Sequence, residues 1–417
     1  MEKPKIRFKG YQEDWEQRKV TELLKNSSSA MKIGPFGSAL KKEYFVEEGI
    51  KVYAQENAFT GDFSMGDYYI TEDKYKELKS CELYPGDLVI SMMGTIGACA
   101  IFPKNAEKGI MNSHLLRLQF NNEVIPEYIM YLLRDSVLIR KQIDRLSVGS
   151  IMSGLSSSVV KKLVFPIPKL AEQKRIVEYL DSIDRLITLH QRKCEEMKTL
   201  KKYMLQKMFP QNGQSVPQIR FSGFTEDWEQ RKLGDIYGSI GNAFVGTATP
   251  YYAEQGHFYL ESNNVKDGQI NHNSEIFIND EFYEKQKDKW LHTGDMVMVQ
   301  SGHVGHAAVI PEELDNTAAH ALIMFRNPKE KIEPYFLNYE YQTDKAKKKI
   351  ENITTGNTIK HILASDMQEF VVDVPKYEEQ KVIASYFCNI DRLITLHQQK
   401  CDELRNIKKF MLQNMFI

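Results

Sequence analysis

Only 5 of the 417 residues are cysteine. Cys81, Cys99, Cys194, Cys388 and Cys401 form an odd, scattered set without CxxC spacing, which argues against a disulfide framework and for a reducing compartment. Net charge is missing as well: 55 Lys+Arg against 56 Asp+Glu gives a formal −1, so the whole chain lacks the basic signature of a nucleic-acid binder. The opening MEKPKIRFKG has no apolar core of a signal peptide. The most apolar run, Leu88 to Phe102, is too short to span a bilayer and reads as two strands around a turn. These absences predict a cytoplasmic chain with no membrane segment. Enzyme signatures are absent too: there is no GxxxxGK[ST] loop, no GxGxxG opening a helix, no HExxH and no Asn-Pro-Pro-aromatic motif. Catalysis by this chain alone is not expected.

What the sequence does contain is a repeat. The stretch Ala171 to Pro210 returns almost verbatim at Glu379 to Ile417, with IDRLITLHQ identical in both copies. Ile183 recurs as Ile390, a displacement of 390 − 183 = 207 residues, and Met204 recurs as Met411 at the same displacement. Self-similarity of this length marks a duplicated architecture. No Gly or Pro interrupts Ala171 to Phe209, and strong helix formers dominate, so each copy reads as one long helix. A heptad begun at Ile176 places Ile176, Ile183, His190, Met197 and Met204 at its first position, with Tyr179, Leu186 and Leu200 at its fourth. The second copy repeats this seam through Ile383, Tyr386, Ile390, Leu393, His397, Leu404, Ile407 and Met411. Two matching seams predict that the helices pair antiparallel, with His190 and His397 near their midpoints.

A second repeated motif, KIRFKGYQEDWEQRK at Lys5 to Lys19 and QIRFSGFTEDWEQRK at Gln218 to Lys232, opens each half. The predicted division is a first module over 1–168, a spacer helix over 169–210, a linker over 211–217, a second module over 218–375 and a second helix over 376–417. Each module alternates short strand-like runs with Gly, Pro and Asn, and carries a helix behind a proline at Pro126 or Pro334. The fold class is therefore α+β: two similar mixed modules joined by two long antiparallel helices, with an internal pseudo-two-fold repeat. Forty residues of helix at about 1.5 Å each span roughly 60 Å.

Between the constant helices the modules have diverged. GDLVISMMGTIGACAIF at Gly86 to Phe102 corresponds to GDMVMVQSGHVGHAAVI at Gly294 to Ile310, and the glycines flanking Thr95 and His303 allow backbone amides to approach a phosphate closely. A plain hairpin turn is the simpler reading of both. Side chains suited to phosphates and base edges fall nearby: Lys41, Lys42, Tyr44, Gln55, Asn57 and Thr95 in the first module, and Tyr251, Tyr252, Asn263, Asn264, His303 and Lys360 in the second. His303 and His306 have HxxH spacing, but a metal would need a third ligand such as His292 or His320, and the first module has Thr95 and Ala98 there; no metal is expected. Lysine clusters at Lys161 to Arg175 and Lys345 to Lys349 read as solvated faces.

Taken together, IGPFGSAL at Ile33 to Leu40, PGDLVISMMGTIG at Pro85 to Gly97, and the paired stretches Val148 to Leu186 and Thr355 to Leu393 resemble the specificity subunit of type I restriction–modification enzymes. The second module departs from the first in having GNAFVGTAT for GPFGS and Pro375 alone for Pro166 and Pro168. The resemblance implies a non-catalytic subunit with two target-recognition domains, each reading half of a bipartite double-stranded DNA site, on helices that set the spacing. It also implies docking of two DNA adenine methyltransferase subunits that bind S-adenosylmethionine, and of restriction/translocase subunits that use ATP and Mg, with no cofactor in this chain. The alternatives are a coiled-coil scaffold that binds proteins, and an enzyme without a recognisable motif.

Overall fold

The computed structural model describes residues 4–93, 97–147, 155–211, 213–356 and 360–416. The chain divides into two compact units, Met1–His190 with Gln399–Ile417, and Gln191–Gln398. This division differs from the linear one predicted, because each long helix is cut near its middle and shared between units. No helix among the described residues is long and apolar enough to cross a membrane.

Each unit repeats one topology. In the first, a four-stranded antiparallel sheet runs in the order Met31–Ile33, Leu115–Leu118, Leu88–Ser91, Cys99–Ile101; in the second the order is Tyr237–Asn242, Leu322–Pro328, Met296–Val299, Ala307–Val309. A second four-stranded sheet follows the same rule in both: Phe45–Val46, Tyr69–Ile70, Ile50–Tyr53 and Gly109–Met111 in one, Tyr252–Ala253, Phe277–Ile278, His257–Leu260 and Ala318–Ala319 in the other, the last strand being parallel. The central strands Leu88–Ser91 and Met296–Val299 are buried throughout, as continuous apolar runs require of strands covered on both faces. The repeated EQRK segments pair antiparallel with Val164–Ile167 and Val371–Val374. Pro166 thus sits within a two-stranded ladder, where its missing N–H costs little.

The single helix expected behind Pro126 is two helices, Pro126–Asp135 and Val137–Leu146. Ser136 breaks it: its backbone is extended and its hydroxyl accepts from the Ile139 amide, capping the second helix. Thr343 does the same for Asp344–Ile353 by accepting from Ala346.

The long helices span Leu170–Lys207 and Tyr377–Met415. In the first unit, Ile183, Ile187 and Leu404 form a buried cluster, so the two helices meet antiparallel there. In the second, Leu205 and Met208 join Ile383, Phe387 and Ile390 in one core, with Met197 and Met204 packed against it. Leu186 and Leu393, expected in the seam, are instead 44% and 42% exposed. The seam advances by four residues rather than three, from Ile176 to Leu180 and from Ile183 to Ile187, and Leu186 lies one residue, about 100° of helix rotation, off it. Cys194 and Cys401 occupy the same seam, where their thiols reach the Ile394 and Ile187 carbonyls at 3.9 and 3.7 Å. His190 and His397 are half-buried.

Each unit also takes in the end of the helix that started in the other. Phe416 lies 5.7 Å from Tyr128, edge to face, and Tyr128 in turn packs on Trp15. At the matching place Phe209 packs on Phe336 and Trp228. The Ile6 amide donates to the Asn414 carbonyl at 3.0 Å, and the Ile219 amide to the Lys207 carbonyl at 2.9 Å. Arg7 makes a two-armed contact with Glu172 at 2.7 Å, and Arg220 with Glu379 at the same distance.

Candidate nucleic-acid interface

At matching positions in the two units, Gly97 and Gly305 lie against a helix. Gly305 has φ +85° and a Cβ there would stand 2.8 Å from Ile350; Gly97 has φ +84° and its Cβ would stand 2.6 Å from the Leu133 carbonyl. Both positions therefore need glycine so that the turn can close against a helix. Thr95 lies outside the described residues. In the second unit the turn is held by a Ser301 hydrogen bond to His361 at 2.6 Å and by the Gly302 amide bonding the Lys360 carbonyl. Lys360 itself is exposed.

Of the second-module candidates, His303 is brought to the others: its Nε2 donates to the Ser262 carbonyl at 3.0 Å, beside exposed Asn263. Tyr252 donates to Glu261 at 2.7 Å, and Tyr251 is stacked on Phe282 with centroids 4.1 Å apart. Glu261 also faces His320 at 3.2 Å, an interaction that raises the imidazole pKa and lowers that of the carboxyl. His306 differs: burial lowers its pKa, and its Nδ1 accepts from the Asp267 amide, which suits a neutral ring. No group of three His, Cys, Asp or Glu placed to hold a metal occurs among the described residues.

Two candidates are corrected. Asn57 and Asn264 are each 1% exposed, with no side-chain atom left for a base. Asn57 Oδ1 accepts from the Ala54 amide while its Nδ2 donates to the Asp62 and Met65 carbonyls. Asn264 repeats the pattern with Glu261, Asn271 and Ser274. Both fasten a loop, since a buried amide must satisfy donors and acceptor alike. In the first module Tyr44 lies under Lys74 Nζ at 4.2 Å, Lys41 is 3.5 Å from Glu43, Lys42 is exposed, and Gln55 opens the short helix Gln55–Thr60.

Residues that the motif search passed over, among them Lys202, Asn338 and Gln342, join His306 and Lys360. Beside the Gly302–Gly305 turn, a cleft of about 650 Å³ is lined by Lys202, His306, Asn338, Gln342, Lys347 and Lys360. In the first unit, hollows of about 690 and 320 Å³ share Asp135 and are lined by Arg134, Arg140 and Lys409. The signal for them was the second-position lysine of the repeated KK pair, Lys202 and Lys409, which the helix heptad leaves on an exposed face.

Comparison with known proteins decides the family. The sequence model of the type I restriction modification DNA specificity domain matches residues 12–199 and again 225–406. The chain belongs to that family. It is similar to the MjaX type I restriction enzyme specificity subunit of Methanocaldococcus jannaschii, with 28% identity over 353 residues, covering 82% of this chain and 80% of the relative. It is also similar to the EcoKI specificity subunit of Escherichia coli K12, at 22% identity over 367 residues and 83% and 77% coverage. Among solved structures, the S subunit of a type I restriction-modification system from M. genitalium matches at TM-score 0.63 with 15% identity, covering 100% of this chain and 99% of the other. A chain from a study of complex assembly and conformational transition of the type I R-M system matches at 0.53 with 17% identity and 96% coverage of both. This DNA specificity subunit thus carries its recognition domain twice, once on each repeat, and the catalytic work of such enzymes rests with other subunits.

Proposed function

We propose that each module reads one half of a bipartite, asymmetric site in double-stranded DNA, while the long helices set the gap between halves. The carrying observation is the contrast between the repeats. Two modules of one topology differ in the residues around their glycine turns, whereas the helices between them repeat IDRLITLHQ unchanged. Different half-sites call for varied readers, and a fixed gap calls for an unvaried spacer.

The same reading assigns the exposed faces of the helices to two DNA adenine methyltransferase subunits, with restriction/translocase subunits completing the complex in the cytoplasm. S-adenosylmethionine, ATP and Mg belong to those partners. A near-neutral subunit suits such an assembly, because partners contribute phosphate contacts.

The test is methylome sequencing of cells that express this chain with its partner subunits, before and after residues 229–375 are replaced by the matching module of a relative. One half of the methylated motif should change and the other persist. Change in both halves, or methylation without a motif, overturns the reading. A protein-binding scaffold would leave the methylome untouched.

A further inference from the structure

The clefts beside Gly97 and Gly305 are alike in one respect and unlike in another. Lys202 of the second unit matches Lys409 of the first, and Lys347 matches Arg140; all four are exposed and none is within an ion pair among the described residues. Their neighbours Lys201 and Lys408 are different, being taken up by Asp391 and Asp184 at 2.7 Å. The cations available to a ligand therefore recur at the same places in both units.

The remaining cleft residues do not recur. Where the second unit has His306 and Asn338, the first has Ala98 and Met130, and where Gln342 precedes the Thr343 cap, the first has Arg134 and Asp135 ahead of the Ser136 cap. His306 and Gln342 are half-buried in the wall of one cleft, and Arg134 is exposed in the other, so each keeps part of its side chain open to a ligand.

Phosphates are the same in every DNA sequence, and base edges are not. Resting on the function proposed above, we infer that each cleft holds one strand of its half-site: the recurring pairs Lys202/Lys347 and Arg140/Lys409 grip phosphates, and His306 and Gln342 against Ala98, Met130 and Arg134 set which bases are accepted. The chemistry fits each side of the comparison. Asn and Gln pair with adenine N6 and N7, Arg pairs with guanine O6 and N7, and an apolar side chain contacts the thymine methyl. The two units would then prefer different bases with the same grip.

Two sets of variants of the full chain separate the roles. Lys202→Gln with Lys347→Gln should lower the slope of log K against log salt on randomised duplexes by about 1.8, from 0.9 per phosphate contact, with the selected bases unchanged in both halves. His306→Ala with Gln342→Ala should keep the slope and alter the selected bases in one half only; Arg134→Ala should alter the other half. Far-UV spectra and melting confirm that each variant is folded, and the lysine pair, being exposed, does not depend on the core. A wild-type chain that selects a two-part site while neither the slope nor the selected bases move in these variants overturns the proposal and leaves the function standing. A wild-type chain that selects no sequence even with its partner subunits present removes that function and this inference together.

Discussion

Lys408 Nζ lies 2.7 Å from Asp184 Oδ1, two residues on different long helices that meet inside the first unit. Asp184 also accepts from the Tyr131 hydroxyl at 2.9 Å. The second unit builds the same triad from Lys201, Asp391 and Tyr339, with the tyrosine at 2.8 Å and the lysine at 2.7 Å. The helices exchange roles: the first gives the acid in one unit and the base in the other.

This arrangement sets an order of stabilities. Lys201 and Asp391 side chains are 13% and 14% exposed, whereas Asp184 is 36% exposed. Asp391→Ala strands a lysine and a tyrosine in a poorly hydrated place and should cost about 3 kcal/mol. Asp184→Ala should cost about 1 kcal/mol, because water already reaches the Asp184 carboxylate and weakens the pair it makes. Urea unfolding of both variants measures the difference, and equal costs would show that the exposure of the acid does not set the strength of the pair.

Glu340 makes stability depend on pH. Burial pushes its carboxyl up to about 8, opposed by the Asp373 amide that bonds Oε1; the Asp373 carboxylate raises it further, while Lys349 and Lys345 lower it. The folded state therefore holds a proton that the unfolded chain releases near pH 4.5, so stability falls as pH rises between about 4.5 and about 8. Glu340→Gln removes the titrating group and should melt higher than wild type at pH 8, with the gap closing toward pH 4.5. A gap that widens toward acid pH would mean that the carboxylate is the favoured buried form.

Asn57 and Asn264 should matter for folding and not for reading. Asn57→Ala removes the acceptor for Ala54 and both donors to the 62–65 turn, so a loss of about 2 kcal/mol is expected from the stranded groups. Asn264→Ala should behave alike in the second unit. Hydrogen exchange would rise at the Ala54 and Glu261 amides, while binding selection would return the wild-type bases at both half-sites. A changed base preference with unchanged exchange would restore the asparagines to the interface.

The proposed spacing role predicts the effect of lengthening. Four residues added after Gln191 and four after Gln398 fall at the division between units, so both lysine–aspartate pairs keep their partners. The added length is about 6 Å, nearly two base pairs at 3.4 Å each. Selection on a library of gap lengths should therefore favour a gap about two base pairs longer, with both half-sites unchanged. An unmoved optimum would assign the gap to something other than the helices.

The repeat made the plan of the molecule legible, because a constant displacement carries over from sequence to structure position by position: Ile183 and Ile390 are both buried, as the heptad required. Leu186 and Leu393 misled because leucine and isoleucine stand side by side at Leu186–Ile187, and hydrophobicity alone cannot say which of two adjacent apolar residues faces the partner. The helix break at Ser136 had a signal in its capping residue, outweighed by the apolar period on either side. The asparagines failed for another reason. A side chain able to read a base edge is equally able to close a loop, and only the backbone around Asn57 and Asn264 separates those uses. The clefts had only the repeated KK pair as a signal, since Asn338, Lys202 and Lys360 are distant in sequence and meet only through the fold.

The two matched amide bonds, Ile6 to Asn414 and Ile219 to Lys207, differ only in what lies between their partners. In the second unit a short covalent bridge, 208–218, joins them; in the first, the partners stand 414 − 6 = 408 residues apart in the sequence. Each unit is therefore completed by the end of the helix that begins in the other. A chain bearing one module and one long helix would leave its Trp and Tyr or Phe pocket unfilled until a second copy supplied the Phe at its helix end. Duplication and fusion of such a self-complementary half then frees each module to drift toward its own half-site, while the shared helices keep the two in step.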